Sequence, residues 1–446
     1  ELIEFLIKNK HRGPDNTKYL YLKNELFLGF NRLRINGLDE KSDQPFQIKN
    51  CLLICNGEIY NFNKLKAKYN FENEYYSNSD CEIISHLYKR LGIQCIRLLD
   101  GVFTFLLYDN QNGLIYVGHD PIGVRSGYMM STDSKFLVSS EMKSIPYSDK
   151  IEMIPPGSYL EFNLNNHQKE IFRYFHLEFP IKYRDDNSSI QLVRELLSES
   201  VRKRMMSDQP IGCLLSGGID SSIICFLVKE FSGLKRVNTF SIGLEGSPDL
   251  LYAEKVALHL GTNHKSFIVN EQEMLDAIEP TIQQIESYDT TTVRASVPMY
   301  LLSKKIRENT YIKVIFSGEG ADELSGSYLY FHKAPSPEEF QKECLRLVND
   351  VQHFDILRGD KTTAGNGLEI RVPFFDKQFV KEYMSIDPQL KVVRNGFEKY
   401  LLRKSFEGTL PKEVVWRRKD GFSDGVSKGT RPWYQIINDY TQSHFG

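Results

Sequence analysis

The chain has 446 residues, 41% hydrophobic and 26% charged, which excludes a wholly disordered polymer and suggests two or three domains of about 150 residues. Lys+Arg 56 against Asp+Glu 58 leaves a formal charge of -2, which argues against a broadly basic nucleic-acid binder. There is no apolar run long enough to span a membrane and no basic signal region at the start. Seven scattered cysteines stand mostly among apolar neighbours, so the sequence reads as cytoplasmic, with reduced buried thiols and neither membrane nor nucleic acid as partner.

Up to about Tyr174 the chain reads as short strands separated by turn chemistry. Glu25–Ile35, Lys49–Ile54, Val102–Tyr108 and Leu114–Val117 are rich in residues that suit a pleated, half-buried surface. Helices are expected near Phe62–Tyr69 and Cys81–Leu91, where Ile83, Ile84, Leu87 and Leu91 recur at helical spacing. Many strands with few helices predict an α+β arrangement of layered sheets covered by helices. Pro155-Pro156-Gly157 marks a sharp turn near the end of this half.

Residues 182–189 are polar and turn-rich, and read as a linker and the capped start of a helix over Ile190–Met206. Ile190, Val193, Leu197 and Val201 build its apolar face. Strand Ile211–Leu215, helix Ser221–Phe231, strand Val237–Leu244, helix Ala253–Leu260 and strand Lys265–Val269 then alternate. Two helices and strand Lys313–Phe316 follow. Apolar strands separated by amphipathic helices predict an α/β domain with a parallel sheet covered on both faces. After about Tyr330 the chain reads as mainly helical.

Three clusters carry chemistry. Ser216-Gly217-Gly218-Ile219-Asp220-Ser221-Ser222 follows an apolar strand and opens a helix, where successive N–H groups form an anion nest. Ser216, Ser221 and Ser222 add hydroxyl donors for phosphate oxygens, and Asp220 is placed to hold Mg²⁺ bridging a pyrophosphate. The Walker consensus is absent. A bare Gly-Gly turn with serine caps would be an ordinary connection; the full heptad in this context favours phosphate. The second cluster, Ser317-Gly318-Glu319-Gly320-Ala321-Asp322-Glu323, follows another strand, and beside a phosphate its carboxylates need Mg²⁺ between. The third is Arg417-Arg418-Lys419, a cationic run that could fold over departing pyrophosphate or remain a solvated charge run.

Taken together with Tyr288–Ser296, Phe331–Pro335, Arg371–Asp376 and Phe422–Gly425, these motifs resemble those of glutamine-dependent asparagine synthetases. In the amino-terminal half, His11-Arg12-Gly13-Pro14-Asp15, Asn56–Asn61 and Ser79-Asp80-Cys81-Glu82 resemble the glutaminase domain of the same family. The resemblance implies an Ntn-type αββα glutaminase-like domain over residues 1–178 and a PP-loop ATP-binding domain, of the adenine nucleotide alpha hydrolase-like type, over 188–446. It also implies aspartate, ATP, and glutamine or ammonia as substrates, with a homodimer left open. By the same resemblance Leu214, Ile242, Ser317 and Gly318 line the nucleotide site, with Ser216, Gly217, Gly218, Ser221 and Ser222 in the phosphate loop. Asp220 and Asp322 hold Mg²⁺ and pyrophosphate, Glu319 governs formation or breakdown of an acyl-adenylate, and Lys419 faces the phosphates. Arg32 pairs with the α-carboxylate of glutamine, Glu58 and Asp80 accept its amino group, and Asn56 with the Gly57 backbone donates to an oxyanion. Asn56–Asn61 could equally be a turn after a strand.

The resemblance also implies a cysteine at the mature amino terminus. The sequence opens on Glu1 and its first cysteine is Cys51, so none is assigned that role. Either leading sequence is missing or glutamine use is lost, leaving an ammonia-dependent enzyme. The chain also stops short of the family's usual carboxyl-terminal extension. Ser126-Gly127 and Asn36 depart from the family pattern near the glutamine site. A related amide ligase resembling β-lactam synthetases, or a non-catalytic nucleotide-binding homologue, is the alternative.

Overall fold

The computed structural model describes every residue except 1, 23–25, 133–134, 147–149, 418–420, 422–424, 428–430 and 446. The chain divides into Glu1–His176 with Met206–Gln209, and Leu177–Met205 with Pro210–Gly446.

The first unit begins with helix α1 (Leu2–Lys8) and hairpin β1 (Asn16–Leu22) and β2 (Leu26–Arg32). Six antiparallel strands build its main sheet: β3 (Phe46–Ile48), β4 (Cys51–Ile59), β5 (Gly101–Asp109), β6 (Leu114–His119), β10 (Ser158–Asn163) and β11 (Lys169–Arg173). They run in the order β11-β10-β6-β5-β4-β3, and β7 (Tyr128–Ser131), β8 (Phe136–Ser139) and β9 (Ile151–Met153) form a separate three-stranded sheet. Side chains alternate across a strand, so β5 serves two cores. Phe103, Phe105 and Leu107 pack with Ile83, Ile84 and Leu87 of helix α3 (Ile83–Leu91) and with Leu65 of α2 (Phe62–Tyr69). Leu106 and Tyr108 face the opposite way, to Leu28, Met129, Ile154 and Leu160. The unit is therefore layered α+β, as expected.

Two boundaries differ informatively. β4 runs on to Ile59, so Asn56, Gly57 and Glu58 lie inside a strand paired with Thr104, Phe103 and Val102, and not in a turn after it. A Cβ at Gly57 would fall 2.1 Å from the Val102 carbonyl oxygen, which is why glycine stands there. The expected helix at Cys81 starts instead at Ile83, after a 3-10 turn over Asp80–Glu82. That turn sends the Asp80 carboxylate to the Ile59 N–H, 2.6 Å away, and ties loop to strand.

In the second unit, helix α4 (Asp186–Lys203) begins four residues before its expected start, because the Asp185 side chain caps it through Ser188 N at 2.8 Å. The sheet is wholly parallel, ordered β14-β13-β12-β15-β16, with β12 Ile211–Leu214, β13 Asn238–Leu244, β14 Asn263–Val269, β15 Val314–Phe316 and β16 Glu369–Arg371. Helix α5 (Ile219–Ser232) follows β12, and α6 (Pro248–Leu260) follows β13 with Ser247 as its cap and proline in its first turn. After α7 (Glu271–Asp276) come α8 (Ile278–Ile285) and α9 (Thr290–Asn309), whose Ile285, Val293 and Val297 pack on Phe240, Ile242 and Ile315. α10 (Ala321–Ser325), α11 (Pro337–Asp350) and α12 (Asp355–Ala364) continue the unit. Among the described residues, no helix is long and apolar enough to cross a membrane.

Candidate functional site

β12 and β15 are neighbours at the centre of the parallel sheet, and winding reverses between them: β13 and β14 lie to one side, β16 to the other. Their carboxyl ends release the loops 215–218 and 317–320 side by side, at the switch point where doubly wound sheets place ligands. The loops are in close approach, since a Cβ at Gly318 would fall 2.8 Å from Ser221 N. Around them lies a cavity of about 1190 Å³.

The expected nucleotide residues Leu214, Ser216, Gly218, Asp220, Ser221, Ile242, Ser317 and Gly318 all line this cavity, as do Glu319 and Asp322. Gly217 and Ser222 take a different position, behind the loop. Gly217 has φ +70°, and a Cβ there would fall 2.4 Å from the Tyr252 carbonyl carbon, so packing on α6 demands the glycine. Ser222 is fully buried and donates its hydroxyl to the Gly218 carbonyl at 2.7 Å. Its role is to hold the loop in shape rather than to meet a phosphate. Ser221 also donates to Gly218 O, at 3.2 Å, and stands 3.1 Å from the Ser216 hydroxyl on the cavity side.

Lys399, which the sequence reading passed over, closes the electrostatics. Its ammonium lies 2.7 Å from Asp220 Oδ2 and 2.6 Å from Asp322 Oδ1, on the cavity wall, with φ +57° at the start of helix Tyr400–Ser405. Burial works against its charge, but the two carboxylates more than reverse that and raise its pKa. The Asn395-Gly396 pair just before it, both at positive φ, marks the turn that leads into this position.

A second cluster lines the cavity beside it. Arg358 of α12 pairs with Glu319 at 2.5 Å and with Asp355 at 2.9 Å. Burial raises the Glu319 carboxyl above its ordinary range, and Arg358 pulls it partly back. Glu323 is pushed up by burial and by Asp355 and Asp322, and accepts the Tyr328 hydroxyl. Arg417, first of the cationic run, bonds Asp249 at 3.2 Å and lies 3.8 Å over the Tyr252 ring. Lys419 lies outside the described residues, as do Arg418 and Phe422-Ser423-Asp424.

In the first unit, Asn36 links two of the expected glutamine residues, Arg32 and Glu58. Its carbonyl accepts from Arg32 Nη2 at 2.9 Å and its amide donates to Glu58. Asn56, two residues before Glu58 on β4, shares the Glu58 face and donates to Ser140 Oγ at 3.3 Å. Asp80 is held by Ile59, next to Glu58. Arg32 is already engaged: Nη1 bonds Asp43 Oδ1 at 2.6 Å and Asp39 O at 3.1 Å, and Nη2 bonds the Asn36 and Gly37 carbonyls. Asp43 was not foreseen as a partner.

The Asparagine synthase family model matches residues 192–341 and 333–443, and the Glutamine amidotransferase domain model matches residues 1–183. The asparagine synthetase (glutamine-hydrolyzing) of Gallus gallus is 43% identical across 97% of this chain and 83% of its own length. Those of Cricetulus griseus and Homo sapiens are each 42% identical across 98% of this chain and 84% of their own length. With an amidotransferase domain at its front and a synthase domain behind it, the chain belongs to the asparagine synthase family.

Proposed function

We propose that the chain makes asparagine from aspartate, ATP and ammonia, the ammonia coming from glutamine. The aspartate side-chain carboxylate attacks the α-phosphorus of ATP, pyrophosphate leaves, and β-aspartyl-AMP forms. Ammonia then adds to the activated carbonyl carbon, loses a proton, and AMP departs. A carboxylate resists attack by an amine until one oxygen becomes part of a phosphate leaving group, which is why the reaction consumes ATP.

The observation that carries this reading is the meeting of Asp220, Asp322 and Lys399 on a cavity wall beside two strand-end loops. In this reading the loop from Ser216 to Ser221 and the start of α5 receive the phosphates through backbone N–H groups and hydroxyls. Lys399 and, in the expected scheme, Lys419 offset the charge that grows on pyrophosphate as it leaves. Leu214 and Ile242 offer apolar surface to the base. Glu319, with its carboxyl held above the ordinary range, is suited to take the proton that attacking ammonia must lose.

Asp220 and Asp322 suit Mg²⁺, because their carboxylate oxygens already converge on one cation and are hard donors of the kind it prefers. These two residues would hold the ion, which would neutralise pyrophosphate charge when bound. In the first unit, Arg32, Glu58 and Asp80 would receive the charged groups of glutamine, with Asn56 and Gly57 facing its amide.

Pyrophosphate release and asparagine formation from aspartate and MgATP test the reading, with ammonium and glutamine as alternative nitrogen sources. Aspartate-dependent pyrophosphate release with asparagine as product is expected. Release provoked by other carboxylates and not by aspartate would overturn it.

A further inference from the structure

Arg32 has five N–H donors, and four are bonded within the chain: two to the Asn36 and Gly37 carbonyls, one to Asp39 O and one to Asp43 Oδ1. A substrate carboxylate taken up by a guanidinium fork needs two parallel donors. The carbonyls are fixed by the backbone. Gly37 is left-handed at φ +64°, with Ser42 Oγ 2.4 Å from where a Cβ would be, and its N–H bonds Asp208 Oδ2 at 2.8 Å. Asp43 is the partner whose bond is a side chain, and the only carboxylate among the four. Its position is set by its neighbour, since the Gln44 side chain clamps both the N–H and the carbonyl of Cys55, at 2.6 and 3.1 Å.

We propose that Asp43 is an internal stand-in for the substrate's carboxylate at Arg32, and that Arg34 receives Asp43 when an α-amino acid enters. This rests on the reading of Arg32 as the carboxylate-binding group for glutamine. Arg34 already holds Asp43 on its other side, Nη2 to Oδ2 at 2.8 Å and Nε to Oδ1 at 3.3 Å. The Arg34 side chain is 27% exposed, against 7% for Arg32, so it has room to follow the carboxylate. Lys18 Nζ also stands 3.7 Å from Asp43 Oδ2, but its side chain is 47% exposed, so the buried charge is balanced chiefly by the two arginines. Two guanidiniums against Asp43 leave one positive charge for a substrate carboxylate to neutralise, whereas Arg32 alone would face two buried carboxylates whose repulsion opposes entry. Burial would raise the Asp43 carboxyl, but the bonds from Arg34, Arg32 and Asn16 reverse this and keep it below its ordinary range, hence charged at neutral pH. The opposite pole follows the same plan: the Asn36 amide sits on Glu58, where the substrate's ammonium would go. Both ends of the zwitterion site are thus met by side chains of the chain itself, and binding is an exchange of partners.

Calorimetric titration of the chain with glutamine tests this, with near-ultraviolet circular dichroism and a cooperative thermal unfolding transition reporting that each variant is folded. Asp43→Asn, which removes the competing charge, is expected to tighten glutamine at least tenfold, or to give measurable binding where the parent gives none. Arg34→Gln, which removes the receiving group, is expected to weaken it at least fivefold. An unchanged or weaker affinity in Asp43→Asn overturns the proposal; if that variant does not fold, an unchanged affinity in Arg34→Gln does so. Arg32→Gln separates the two levels of the argument. Affinity surviving that change would mean that the reading of Arg32 itself is wrong, whatever Asp43 does.

Discussion

In the first unit the guanidinium of Arg32 is answered by Asp43 and by carbonyls of its own loop. In the second, the carboxylates of Asp220 and Asp322 are also answered from within, by Lys399, but on the wall of a large cavity. The contrast shows two uses of an internal counter-charge. At Arg32, where four of five donors are already bonded, its proposed role is to compete with a ligand of like charge. Facing a cavity, it keeps two carboxylates tolerable side by side and leaves them ready for a ligand of the opposite kind. Charge compensation alone therefore does not reveal whether a site is open.

The largest effect that tests this contrast is expected from Lys399. Lys399→Ala should lower aspartate-dependent pyrophosphate release by about 10²–10³-fold, the usual consequence of losing one preorganised charge-stabilising group. A fall under tenfold would make Lys399 a structural pin that only keeps Asp220 and Asp322 together. Arg358→Leu comes next. It removes the partner of both Glu319 and Asp355, and should cost up to about 3 kcal/mol in denaturant unfolding, the low end for a buried pair because Glu319 faces the cavity. The Glu319 carboxyl, already raised, should rise further, so the acid limb of the ammonia-supported pH–rate profile should move to higher pH.

Lys391 sharpens the comparison by counter-example. Burial holds its ammonium down to about 7 despite help from Cys344 and Asp387, and its nitrogen meets the Gln341 side chain, the Tyr383 carbonyl and, at 5.4 Å, the Tyr383 ring, with no carboxylate bonded to it among the described residues. Below about pH 7 both folded and unfolded chains carry its proton, and the burial penalty is full. Between about 7 and the unfolded value near 10.4 only the unfolded chain is protonated, so stability should rise with pH by at most about 1.4 kcal/mol per unit. Lys391→Met should flatten that rise, measured as unfolding free energy at pH 7 and 9.5. The smallest effect belongs to Ser222→Ala: about 1 kcal/mol of stability, from one lost bond to Gly218 O, with pyrophosphate release changed less than twofold.

Much of the site could be read in the sequence because its parts are local. The Ser216–Ser222 and Ser317–Glu323 segments each follow a strand, and a parallel sheet delivers strand ends to one edge, so their meeting followed from two separate patterns. Lys399 and Arg358 could not be found that way. Lys399 reaches Asp220 and Asp322, and Arg358 reaches Glu319, from a distant part of the chain, and neither belongs to a spacing that repeats. Among the strands, β4, β5 and the three-residue β15 were legible from apolar runs, whereas β3, β9 and β16 are as short as β15 and are broken by Gln47, Glu152, and Glu369 with Arg371. β1 was hidden for another reason: its residues are mostly exposed and polar or aromatic, and the hairpin with β2 gives it its shape. Asp43 escaped because a carboxylate in a turn-rich stretch looks like a solvated one until its two arginines are in place.

The pairing of β12 with β15 has a consequence for how the enzyme comes into being. The two strands are separated by about a hundred residues, and Lys399 follows later still. At a synthesis rate of roughly 5–20 residues per second, one edge of β12 waits on the order of ten seconds for its neighbour. An unpaired apolar edge is a template for pairing with the wrong chain. On the proposed reading of the site, ATP gives no relief during that interval, because the second loop, Asp322 and Lys399 have yet to emerge. The consequence of this topology is an apolar strand edge that is made long before the strand that covers it, so a chain cut short between them would keep that edge open to mispairing.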